Sequence, residues 1–138
     1  MRNILFLLVL VALAGVTGCA DEIVSECDVA EETAVRAQFS DIEQRVFAQS
    51  CATAGCHAGS NPQAGLDLSP GMAYASLVGA KSLNYPDEKL VEPGSSEQSV
   101  LIGLLRRDRQ PAMPPAGSLD PAVIDSIAAW INRGAPED

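Results

Sequence analysis

Apolar residues along this chain fall first in one unbroken run and then in short stripes at helical spacing. The run covers residues 4–16, just after Arg2 and Asn3, and is too short to cross a bilayer as a helix. Residues 20–35 are acidic and carry no clear apolar period. From Phe39 the pattern changes: Phe39, Ile42, Val46 and Phe47 share one face, and Ser40 with Glu43 has capping-box spacing, which predicts a helix running into Cys51. The stretch 58–67, rich in Gly, Asn and Pro, reads as a loop. Ser69 and Pro70 then predict a short helix ended by Gly79, with Met72 inside it as core filler. A second long loop, 81–94, leads to a third helix opened by Ser95 or Ser96. Its stripe is Val100, Leu101, Leu104 and Leu105, and Arg106 and Arg107 suit its C-terminal dipole. Asp120 and Pro121 start the last helix, which places Ile124, Ile127, Ala128 and Ile131 on one side and stops at Gly134. No segment alternates as a strand does. The expected fold class is therefore all-α, about four short helices joined by long loops.

The first apolar run has the flanks of an export signal rather than of a structural helix. It ends in Val16-Thr17-Gly18-Cys19, which resembles the lipobox of bacterial lipoproteins. That resemblance implies removal of residues 1–18, lipid on Cys19, and anchoring to the membrane through the lipid alone. An ordinary secretory cleavage near Gly18, leaving Cys19 free, also places the chain outside the cytoplasm. Residues 19–38 then form an acidic tether and 39–138 the folded domain. Ala20 and Asp21 fit outer-membrane sorting, so the expected location is the periplasm or the cell surface. The formal net charge is −9, from 18 acids and 9 bases among 138 residues. Such a balance excludes nucleic acid, whose phosphates need a basic surface, and suits a basic protein partner.

Thiols seldom stay idle in an oxidising compartment, and four are present: Cys19, Cys27, Cys51 and Cys56. With Cys19 lipidated, an odd number is left, which cannot all pair within the chain; Cys27 is then either free or paired between chains. Cys51 and Cys56 are separated by four residues, Ala52 to Gly55, and His57 follows directly. This order resembles the attachment motif of c-type cytochromes, in which two cysteines add to haem and the next histidine ligates the iron. The usual motif is C-x-x-C-H; the longer spacing needs a bulge, which small Ala52, Ala54 and Gly55 permit. The other reading is a Cys51–Cys56 disulfide that staples a small loop, with His57 on the surface. Zinc would need a fourth ligand beyond Cys51, Cys56 and His57, with only Cys27 on offer. There is no phosphate-binding glycine loop and no serine elbow.

A second axial ligand to iron is usually methionine or histidine, and His57 is the only histidine. Met113 lies in Gln110-Pro111-Ala112-Met113-Pro114-Pro115, where flanking prolines reduce the freedom of the loop. Its segment resembles the distal methionine loop of single-haem class I cytochromes. Ala64-Gly65-Leu66-Asp67-Leu68, Val91-Glu92-Pro93-Gly94 and Trp130-Ile131 add to the likeness, and over 39–135 the chain resembles the planctomycete-type cytochrome c domain. That family implies a small cytochrome c-like fold with one covalent haem c per chain. Cys51 and Cys56 would be the thioether sites, His57 the proximal ligand and Met113 the distal ligand, with Phe47 and Trp130 packed between the first and last helices. A porphyrin would also enlarge a core whose aromatics after the leader are Phe39, Phe47, Tyr74, Tyr85 and Trp130. Arg106, Arg107 and Arg109 either reach haem propionates or form a solvated helix end. The function implied is an electron carrier between exported redox proteins rather than an enzyme. A non-haem interaction module is the alternative, and peroxidase-like chemistry would follow if Met113 were not a ligand.

Overall fold

A computed structural model describes residues 34–138. The leader 1–18, the lipidation site Cys19, Cys27 and all of the acidic tether up to residue 33 lie outside the described residues. Among the described residues the fold is all-α, without named strands and with four helical regions in chain order. Helix α1, Phe39–Ile42, runs on as a π-helical segment, Glu43–Cys51; α2 is Ala73–Leu77, α3 is Val100–Leu105 and α4 is Pro121–Asn132. A single 3₁₀ turn, Gln63–Gly65, interrupts the loop after Cys51. No helix among the described residues is long and apolar enough to cross a membrane.

The stripes named from sequence become the core. Phe39, Ile42, Val46 and Phe47 are buried on α1 and its π extension, and Ile124, Ile127, Ala128 and Ile131 on α4. Trp130, fully buried, joins them: its ring lies 5.5 Å from that of Phe39, whose edge meets Tyr74 at 5.1 Å. Phe47 belongs to the same cluster. Helix α4 forms as its sequence dictates: Asp120 Oδ1 accepts from the Ala122 amide at 2.8 Å, Pro121 occupies the first turn, and Gly134 at φ +101 ends it.

The other helix boundaries differ from expectation. The Ser40–Glu43 capping box does not form, because the end of the chain does its work. Asp138 Oδ1 accepts from the Phe39 amide and the Asp138 carbonyl from the Ser40 amide, both at 2.8 Å. Glu43 instead accepts from the Gly71 amide. Ser69 caps nothing; its amide donates to Asp67 Oδ1, and Gly71 at φ +80 breaks the helical path so that α2 starts only at Ala73. Met72 is consequently 52% exposed and not core filler. Helix α3 starts after Ser99, not at Ser95 or Ser96, because Ser99 Oγ accepts from the Glu92 amide and donates to the Ser95 carbonyl, which ties the preceding loop together. On α3 Ile102 is buried whereas Leu104 is only half-buried. Loop 81–94 is also more ordered than its composition suggests: Lys81 bridges Lys89 in antiparallel fashion and Val78 bridges Val91 in parallel.

Candidate functional site

The π segment ends at Cys51, where the Ala52 amide donates to the Phe47 carbonyl at 2.7 Å. Such wide helical turns are uncommon and gather at functional sites. The chain then folds back at once. The Cys56 amide donates to the Thr53 carbonyl at 3.0 Å, and the His57 amide to the Cys51 carbonyl at 3.1 Å. Gly55 at φ +83 supplies the turn, a conformation that costs glycine little. The four-residue spacing is therefore taken up in a bulge, and Cys51, Cys56 and His57 stay on one small ring of backbone.

Two further bonds anchor that ring from the 58–68 loop: the Gln63 amide donates to the Cys56 carbonyl, and the Leu68 amide to the His57 carbonyl, both at 2.8 Å. Most informative is the imidazole. His57 Nδ1 lies 3.2 Å from the Leu66 carbonyl oxygen. A carbonyl only accepts, so Nδ1 carries the proton, and in the neutral ring Nε2 keeps its lone pair. Metal-binding histidines are oriented in this way, with the far nitrogen on a carbonyl or carboxylate. Leu66 was visible in sequence only as part of an Ala-Gly-Leu-Asp-Leu match. What aims its carbonyl is backbone shape: Ala64 and Gly65 both take positive φ, 56 and 67.

Both Cys51 and Cys56 are free thiols. Cys51 is half-buried against the core, and burial, with the neighbouring Cys56 thiol second, pushes its pKa up to about 11. A thiol so held stays protonated at neutral pH, the opposite of what a cysteine nucleophile requires. Among the described residues no three His, Cys, Asp or Glu side chains gather as a metal-holding group.

Met113 reaches the same core from another loop and is half-buried against it. Its amide donates to the Leu104 carbonyl at 3.0 Å. Arg107, at φ +67, turns the chain out of α3, and its Nη1 donates to the Gly117 carbonyl at 2.7 Å and the Pro114 carbonyl at 3.3 Å. No hydrogen bond among the described residues links Met113 to the Cys51–His57 ring; the two share only a core. The remaining arginines are likewise engaged by protein groups. Arg106 pairs with Glu97 and Asp125, and Arg109 pairs with Glu88 at 2.8 Å. A surface recess of about 260 Å³ opens beside Leu105, Leu119, Pro121 and Ile124, and neither the cysteines, His57 nor Met113 line it.

No family model, curated protein or solved structure matches this chain.

Proposed function

We propose that the chain is a monohaem c-type cytochrome with a cytochrome c-like fold, exported and held at a membrane by lipid on Cys19, and that it passes single electrons between redox proteins. The observation that carries the proposal is the His57 imidazole, held through Nδ1 on the Leu66 carbonyl so that Nε2 keeps its lone pair for a metal, on the same backbone ring as two free cysteines. The donor types suit the group: Cys51 and Cys56 would hold haem covalently, and His57 and Met113 would ligate its iron. When bound, haem supplies reversible one-electron exchange at iron.

Each side chain has a part that its own chemistry defines. Leu66 fixes the tautomer and orientation of His57 through its carbonyl. Met113 offers a neutral, soft thioether, which favours the reduced metal more than a second imidazole would. Arg107 restrains the Met113 loop through two carbonyls. If His57 and Met113 both ligated the iron, no position would be left for a substrate, which is the reason for reading a carrier rather than an enzyme. The closeness of Cys51 and Cys56 gives the disulfide-stapled module its one point of support.

Intact mass separates the two readings. Protein matured in a host with haem-ligation machinery is expected to gain the mass of one haem and to keep its colour on a denaturing gel. A colourless band lighter by two hydrogens than the reduced chain would replace the cytochrome with the disulfide module.

A further inference from the structure

We infer that Arg109 is a positioning residue for the Met113 loop, seated by Gly103, Tyr85 and Glu88; the inference rests on the cytochrome reading and deepens it. Gly103 lies inside α3 without positive φ, so no turn requires a glycine there. Space does. A Cβ at that position would stand 2.6 Å from Arg109 Cδ and 2.8 Å from its Cγ, so the stem of Arg109 lies directly against the bare helix backbone. The Arg109 amide also donates to the Gly103 carbonyl at 3.0 Å.

From that seat the guanidinium reaches across to loop 81–94. It pairs with Glu88 at 2.8 Å, and its central carbon lies 5.0 Å from the centre of the Tyr85 ring. Tyr85 completes the brace, because its hydroxyl donates to the Gln110 carbonyl at 2.9 Å and accepts from the Gln110 amide at 3.2 Å. Residue 110 is thereby held on both its polar backbone groups, just ahead of Met113. With the Met113 amide on Leu104 and Arg107 on Pro114 and Gly117, the loop is fixed on either side of its methionine. A thioether that would ligate iron from an irregular loop would depend on such outer contacts to hold it in place.

Four substitutions at three residues disturb the brace by unrelated means. Gly103→Ala expels the Arg109 stem without touching any charge, and on helix propensity alone it is favourable. Tyr85→Phe keeps the ring beneath the cation and removes the two bonds to Gln110. Arg109→Gln removes the cation, while Arg109→Lys keeps a charge for Glu88 but loses the planar fork.

The full chain, matured with haem, is compared by mass, by the red sulfur-to-iron absorption band of the ferric protein, by carbon monoxide titration of the ferrous protein and by melting. All variants are expected to carry one covalent haem, because Cys51, Cys56 and His57 are untouched. Gly103→Ala, Tyr85→Phe and Arg109→Gln are expected to weaken the red band and to bind carbon monoxide about 10–100-fold more tightly than the parent, a typical outer-contact effect. Arg109→Lys falls between, and Gly103→Ala shows the loss without a lower melting temperature. Hydrogen exchange at the Met113 amide quickens in the same order. Haem-bearing variants that retain the parent's band and its indifference to carbon monoxide would overturn the inference. A parent protein without haem would defeat the cytochrome reading before any substitution is made.

Discussion

Asp41 is 5% exposed, yet it keeps its charge inside the fold. Burial by itself raises its pKa; the Arg36 side chain and amide, followed by the charges of Arg36 and Arg45, outweigh that and hold the carboxyl below its ordinary 3.8. The Arg36 contacts measure 2.7 Å to the amide and 3.0 Å to Nη2. Since the folded pKa is depressed, the unfolded chain binds more protons across the interval between the two values. The stability from Asp41 is therefore present above 3.8 and fades as pH falls through that value toward the folded pKa. Asp67 and Asp138, hydrogen-bonded by Ser69 and by Phe39 with Arg133, lie lower in the same sense, so a melting curve against pH adds all three. The readout is a difference: Asp41→Asn is expected to melt earlier at neutral pH, and the gap to the parent should narrow in acid. A gap constant with pH would mean that the carboxylate charge contributes nothing there. Trp130, by contrast, acts through volume and one bond, from its Nε1 to the Pro136 carbonyl at 2.8 Å. Trp130→Ala should cost about 3–5 kcal/mol in denaturant unfolding.

At the scale of elements, α4 is the one helix among the described residues whose own N-cap side chain caps it, Asp120 on the Ala122 amide. Asp120→Ala should lower stability by about 1 kcal/mol, seen as a shift of the urea midpoint with an unchanged slope. The same helix was the most legible in sequence, and for the same reason: cap, proline, stripe and terminating glycine are all local signals. The π extension to Cys51 was legible as a helix, because the burial of Phe39, Ile42, Val46 and Phe47 follows from spacing alone, whereas its wider turn has no signature in residue types. Where local signals misled, another backbone bond or turn had intervened, distant at α1 and nearby at α2 and α3. Asp138 caps α1 in place of Ser40, and Ser99 bonds across to Glu92 instead of opening α3 from Ser95. The site divides along the same line. Cys51, Cys56 and His57 are candidates from adjacency, and Met113 from its prolines. The Leu66 carbonyl is not, since any residue type offers one and only the backbone at Ala64 and Gly65 aims it. Tyr85, Glu88 and Arg109 meet across a separation of more than twenty residues, as Tyr85 and Gln110 do, and no periodicity reports such a contact.

Over the whole molecule, charge decides what can approach. Among the described residues Arg36, Arg45, Lys89, Arg106, Arg109 and Arg133 all stand in ion pairs with carboxylates. Exposed pairs of this kind add little stability, but they offset the charge of six of the eight described cations, all but Lys81 and Arg107. Asp87, Asp108 and Glu137 stand in none of these pairs, and the described residues carry 12 acids against 8 bases, so their surface field is acidic. An electron carrier with such a field would draw in a basic redox partner from a distance and orient it before contact. Raising ionic strength from about 0.01 M to about 0.15 M shortens the screening length from roughly 30 Å to roughly 8 Å. The second-order rate of electron exchange with a basic protein should then fall by about tenfold or more. A small uncharged reductant feels no such field, and its rate with the same protein should barely change. A basic partner whose rate is equally flat with salt would show that docking rests on apolar contact instead, and the acidic surface would then serve solubility alone.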